Sequence, residues 1–333
     1  MAGAGSSGLV SYSAGMVAPV PVVEMVRSGF VEGHHHGSAV ILDADGSVAW
    51  SVGDVESAIL PRSANKPLQA LGMVGLGLDL PPELLALACA SHSGEEIHLE
   101  AVRRILAGAG LSELALGNVV DYPLDEAVRV AWIRAGGEQT RLVQNCSGKH
   151  AAMLATCVER GWQLSGYFEP DHPLQVGIQR RFEQLTGESA QVTVDGCGAP
   201  LLSTSLLGLA RAYRTVATAT DGDSWRIAEA IRRHPELVSG TTRDECALLR
   251  AMPGAVGKMG AEAVYAVALP DGRSFALKID DGAGRARPVL MAAMLRRAGV
   301  HAEEWVDGAA VLATGEAPVY GGGVVVGELR PVV

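Results

Sequence analysis

The chain has 333 residues, 27 basic and 37 acidic, and a formal net charge of −10. Its 48% apolar content excludes a disordered chain, and its acidity argues against a nucleic-acid binder, which needs a basic surface for phosphates. No uncharged apolar run is long enough to span a bilayer, so no membrane partner is expected.

Residues 1–23 are apolar and rich in Gly and Ser, and the first basic residue is Arg27. They lack the basic start of a signal peptide and read as a flexible tail leading into an extended segment. His34, His35 and His36 form a tract that invites metal. A strand sends successive side chains to opposite faces, however, so three in a row cannot meet one ion. Residues 38–42 read as a strand, 43–46 as a turn carrying Asp45 and Gly46, and 47–52 as the partner strand. A helix follows over 95–107, with Ile97, Val102, Ile105 and Leu106 as its apolar set and Ser93 with Glu96 as a capping box. Helices are expected at 149–159 and at 172–185, the latter capped by Asp171 with Pro173 in its first turn. Another is expected at 225–233. Thr242 with Glu245 caps a short one ending near Met252. A second hairpin uses 263–269 and 274–279 around the turn 270–272. A helix over 287–298 and a strand over 323–329 close the chain.

Strands cluster at the two ends and helices in the middle. The simplest solution is an α+β fold, with an antiparallel sheet built from both termini and a helical lobe inserted between. Residues 24–333 then form one two-lobed domain. Its sheet lobe takes about 24–60 and 255–333, its helical lobe about 61–254, and a cleft lies between. The five cysteines, Cys89, Cys146, Cys157, Cys197 and Cys246, are an odd number and suit a reducing cytoplasm better than a disulfide framework.

Five segments carry reactive groups. In PRSANKP, Ser63 and Lys66 lie three apart on one helical face, where a neutral lysine can take the serine proton. Alone, this spacing also fits an ordinary surface helix start. CASHSGE brings Ser91 and His92 before a helix, as capping groups or as a second hydroxyl of the cleft. NCSGKH and VDGCGAP place Cys146 and Cys197 in small-residue segments. There they are buried thiols or soft ligands for zinc. VGKMG sets Lys258 between glycines before a strand, as a turn lysine or one reaching into the cleft.

In this order, RSANKP, CASHSGE, NCSGKH, DGCGAP and VGKMGA resemble the rhizobial-type, or class 3, L-asparaginases, over nearly the whole chain. The resemblance implies a fold similar to serine β-lactamases and glutaminases. It implies two serine–lysine tandems, Ser63 with Lys66 and Ser91 with Lys258. It also implies a zinc site of Cys146, Lys149 and Cys197, where the lysine must be neutral to donate its lone pair. Asp195 would be a neighbour of that site or a substrate contact, and the active unit would be a homodimer. Arg62 is the cation nearest the nucleophile and is expected to pair with the substrate carboxylate, with His150 as a further substrate-binding residue. The expected activity is cytoplasmic hydrolysis of L-asparagine, with a glutaminase, another serine amidase or a non-catalytic zinc binder as alternatives. One departure stands out: the family carries a cysteine near the position of Glu245, and here Cys246 is adjacent instead.

Overall fold

The computed structural model describes residues 19–333. Residues 1–18, which hold most of the expected tail, lie outside the described residues. β1 (Val20–Arg27) turns through Ser28 and Gly29 into β2 (Phe30–Leu42), and the Asp45–Gly46 turn leads into β3 (Val48–Val52). The extended segment thus starts earlier than expected, because Val22 and Val23 are fully buried in β1. The histidine tract lies within β2. There His35 is buried against Asp281 at 2.7 Å while His34 is exposed, the alternation a strand imposes.

The chain then leaves the sheet. A 3-10 turn (Arg62–Asn65) leads into α1 (Lys66–Gly75), α2 (Pro82–Ala88), α3 (Glu96–Gly108), α4 (Glu126–Arg134), α5 (Ser147–Arg160) and α6 (Pro173–Thr186). A small hairpin of β4 (Val192–Val194) and β5 (Pro200–Leu202) interrupts the helices. α7 (Leu206–Ala217), α8 (Gly222–Arg233), α9 (Pro235–Val238) and α10 (Asp244–Ala251) follow. The chain returns to the sheet with β6 (Val256–Gly260), β7 (Val264–Ala268) and β8 (Ser274–Ile279). α11 (Ala286–Arg297), α12 (Gly308–Ala313), β9 (Pro318–Gly321) and β10 (Val324–Pro331) complete it.

The main sheet runs β6-β7-β8-β2-β1-β10-β9, with β3 also paired to β2, and its neighbours are antiparallel. Its middle joins the two ends of the chain, with Ala39 opposite Leu277 and Met25 opposite Leu329. The expected α+β layout, a sheet from both ends around an inserted helical region, is the one observed. β6 and β7 are buried along their whole length, and α7 and α11 both pack on β7 and β8. Continuous burial of this kind needs cover on both faces of a sheet.

α1 is apolar nearly all round and buried except at its last residue, so it is the central helix of the inserted region and not a surface start. It packs against α6 so closely that a Cβ on Gly72 would sit 2.8 Å from the Ile178 Cα.

Three expected caps are corrected. His172, not Asp171, caps α6, its ring accepting from Leu174 N–H. α3 has Glu95 at its N-cap with no side-chain capping bond, and the Ser93 hydroxyl has no partner among the described residues. α10 begins after Arg243 without a side-chain cap, because Glu245 is buried elsewhere. Only for Glu245 does a tertiary partner, Lys258, account for the departure from the local pattern.

Replacing Gly72 by valine should push α1 from α6 and destabilise the fold by about 1–3 kcal/mol. Chemical denaturation should show a lower midpoint; an unchanged midpoint would refute this close packing.

Candidate active site

The turn holding Ser63 is wedged between α1 and the edge strand β6. Gly260 makes this contact possible: a Cβ there would lie 2.4 Å from the Pro61 carbonyl oxygen and 3.2 Å from Ser63 N. Arg62, just before Ser63, has φ of +51°, the left-handed region that a non-glycine residue rarely holds. Glu262 (φ +57°) and Ala263 (φ +51°), just past β6, share that conformation. Each such residue costs about 1–3 kcal/mol and persists only where its surroundings enforce it. All three line the same cleft of about 330 Å³, together with Ser63 and Ser91. A larger groove of about 1020 Å³ lies between α11, α12 and β10 and is lined by no serine, lysine or cysteine.

Lys66 opens α1 and is fully buried. Its Nζ donates to the Ala90 carbonyl at 2.5 Å and lies 2.8 Å from Ser91 Oγ and 3.1 Å from Cys146 Sγ. Backbone bonds fix the segment that carries Ser91. Ser91 N donates to Val238 O, His92 N to Asn145 O, and Ser93 N to Ser239 O. His92 lies 2.8 Å from Ser147 Oγ and stacks on His98, so it is a packing residue under the cleft. Lys66 thus bonds to Ser91. Among the described residues no hydrogen bond joins Lys66 to Ser63, one turn earlier.

Beside them lies a thiol pair. Cys146 is the N-cap of α5, Lys149 lies in its first turn, and Cys197 sits in the β4–β5 turn. Lys149 Nζ is 3.3 Å from Cys197 Sγ. A hydrogen bond from Cys146 brings the Cys197 thiol down to about 5, against its burial and with help from Lys149. The same bond, with burial, pushes Cys146 up. Burial opposes charge on Lys149, yet the two sulfurs and Asp195 hold it above its ordinary value. The two sulfurs, one with thiolate character, are donors of the type zinc accepts, whereas Lys149, held charged beside them, would have to release its proton before its nitrogen could join them. Among the described residues no group of three His, Cys, Asp or Glu side chains is placed to hold a metal. Zinc here would therefore need the Lys149 nitrogen.

Asp195 accepts from Arg62 Nε at 2.9 Å and from Gly196 N–H at 2.9 Å. Burial would raise its carboxyl, but Lys149, Lys66 and Arg62 hold it below the ordinary value. Arg62, the expected carboxylate partner, is thus already engaged, with Glu262 a further 3.7 Å contact. His150 is fully buried against the Tyr167 hydroxyl at 2.6 Å and is not among the residues lining the cleft. Burial, with Lys149, brings it down to about 3, so its ring is neutral.

Lys258 lies within β6, a strand that the sequence pattern did not reveal. It donates to both Glu245 oxygens, at 3.1 and 3.0 Å, and to the Met259 carbonyl, and both side chains of this ion pair are fully buried. Burial brings Lys258 down to about 8, aided by Lys66 and Arg243 and opposed by Glu245. Removing one partner of such a pair typically costs about 3–5 kcal/mol. Sequence reading took Glu245 as a helix cap and passed over Arg243 and Arg287, which both line the cleft. All three lie in or near helix termini, where charge reads as capping.

A sequence profile of the L-asparaginase II family matches residues 23–331. Among curated proteins nothing matches. Among solved structures, the chain is similar to a β-lactamase from Mycobacterium bovis, with 16% identity over 78% of this chain and 94% of that one and a TM-score of 0.44. It is also similar to EstCE1, a hydrolase with promiscuous acyltransferase activity, with 12% identity over 79% and 90% and a TM-score of 0.37. With its profile spanning nearly every described residue, the chain belongs to the L-asparaginase II family.

Proposed function

We propose that the protein is an L-asparaginase that hydrolyses the side-chain amide of L-asparagine to L-aspartate and ammonia. The observation that carries this reading is the cleft itself. Two serines line it, and a fully buried lysine sits in hydrogen-bond contact with one of them and one helical turn from the other.

In this reading Ser63 is the nucleophile. Its Oγ forms a bond to the amide carbon, and its proton passes to Lys66 in the unprotonated form. Backbone N–H groups of the Ser63 turn and the facing strand end stabilise the oxyanion, the kind of fixed dipole that contributes most to acyl transfer. The C–N bond breaks as Ser91 delivers its proton to the leaving nitrogen and takes in its place the one Lys66 received from Ser63, so ammonia departs. Water then hydrolyses the β-aspartyl ester and returns a proton to Ser63. Lys258 stays protonated below about pH 8 and adds positive potential beside the reacting groups. Asp195, held by Arg62, offers its carboxylate to the substrate ammonium. Cys146, Cys197 and Lys149 would hold zinc, which when bound would fix the cleft wall and orient substrate. A homodimer and a cytoplasmic setting belong to the same proposal.

Ser63→Ala should lower ammonia release from asparagine by roughly 10³-fold or more. Near-normal release would remove Ser63 as nucleophile, and mass spectrometry of a trapped acyl-enzyme would then locate the true one. A substrate panel including glutamine separates the neighbouring amidase activities.

The charge on Lys258 is present below about pH 8 and lost above it, so kcat should fall through an alkaline limb near that value. Glu245 supports this charge. In Glu245→Gln the proton should leave earlier and the limb should move to lower pH. A limb that stays in place would disconnect Lys258 from turnover.

Metal analysis should find zinc in the wild-type protein and about none in Cys197→Ala. Equal zinc in both would exclude this site.

A further inference from the structure

Among the described residues three guanidinium groups line the cleft, and two are already neutralised. Arg62 is bound to Asp195 at 2.9 Å. Arg287 places one nitrogen on both oxygens of Asp244, at 2.7 and 2.6 Å, and its plane lies over the Tyr265 ring. Arg243 differs. Among the described residues its hydrogen-bond partner is the Met259 sulfur at 3.3 Å, a weak neutral acceptor, and no carboxylate oxygen lies within 4 Å. Glu245, Asp244 and Asp125 act on it only from beyond ion-pair distance, so its planar fork of donors carries no bound carboxylate, the ligand shape it matches best.

Its place in the cleft gives that shape a meaning. Met259, against which Arg243 lies, is the neighbour of Gly260, and Gly260 touches the Ser63 turn. The unpaired cation therefore stands beside the strand residue next to the proposed nucleophile. We propose that Arg243 is the seat of the substrate carboxylate and the residue that restricts the cleft to amides bearing one; this rests on the asparaginase reading for the reaction at Ser63. Arg62 would have to abandon Asp195 to do the same work, whereas Arg243 would give up only its contact with the Met259 sulfur. Asparagine fits the pair of charges, with its carboxylate on Arg243 and its ammonium toward Asp195, and its amide lies between.

The test compares L-asparagine with 3-aminopropanamide, which keeps the amide and the amine but lacks the carboxylate. In Arg243→Gln, the ratio of kcat/KM for asparagine to that for 3-aminopropanamide should fall by roughly 10- to 100-fold, through KM, and Arg243→Lys should recover part of it. Equal losses on both substrates would mark a structural role, and no loss on asparagine would leave the carboxylate elsewhere; either result overturns the proposal. Calorimetric binding of L-aspartate gives an independent readout. If wild-type protein hydrolyses neither amide, the asparaginase reading fails, but weaker L-aspartate binding in Arg243→Gln would still support the seat. Unchanged binding, or none to the wild type, would overturn it. Circular dichroism of each variant separates a lost fold from a lost contact.

Discussion

The cleft depends on the burial of Lys66. A lysine nitrogen buried without hydrogen-bond partners is costly, so the chain has to bring partners to it. They come from different parts of the sequence. Ala90 and Ser91 arrive on the segment after α2, and Cys146 arrives at the start of α5. The lysine itself is fixed by α1, whose close approach to α6 leaves it no freedom to withdraw. One buried side chain therefore locks three segments that are ordinary when taken singly.

The same logic extends to its neighbours. Lys149 and Lys258 are also buried, and each has its own anionic or polarizable partner, Cys197 for one and Glu245 for the other. Neighbouring amines repel wherever they are charged, and burial sharpens that repulsion. The partners restrain each lysine while leaving the repulsion in place. Two amines beside a single cleft are thereby held at different readiness to give up a proton, Lys149 above its ordinary value and Lys258 below it. Backbone strain at Arg62, Glu262 and Ala263 is concentrated along the same wall, so the cost in stability and the chemistry share one location.

Much of this was legible in the chain. The Asp45–Gly46 turn and the second hairpin read correctly because turn residues between apolar runs are local signals. Ser63, Ser91, Cys146, Asp195 and Cys197 do line one cleft, as the ordered motifs implied. What escaped depended on distant partners. Thr242 and Glu245 match a capping box, but the Glu245 carboxylate turns inward because Lys258 waits for it on β6. Arg62 stands out by its place beside Ser63, whereas nothing local to Arg243 marks it as a cleft residue. Only the assembled cleft shows that one is paired and the other is not. His150 illustrates the reverse: its motif pointed to the substrate, and its ring went to Tyr167.

The sheet closes through strands from opposite ends of the chain. His35 meets Asp281 across 246 positions, and Glu24 meets Arg330 across 306. Contacts of such span form slowly, because a long loop must be closed before they contribute. Helices α1 to α10 make nearer contacts and can assemble while the later strands are still being synthesised. Ser63 and Lys66 would then exist as a packed helix start well before β6 brings Gly260 and Lys258 beside them. A chain emerging from the ribosome would carry its proposed nucleophile early and a complete cleft only after β6 and the residues as far as Arg287 have docked.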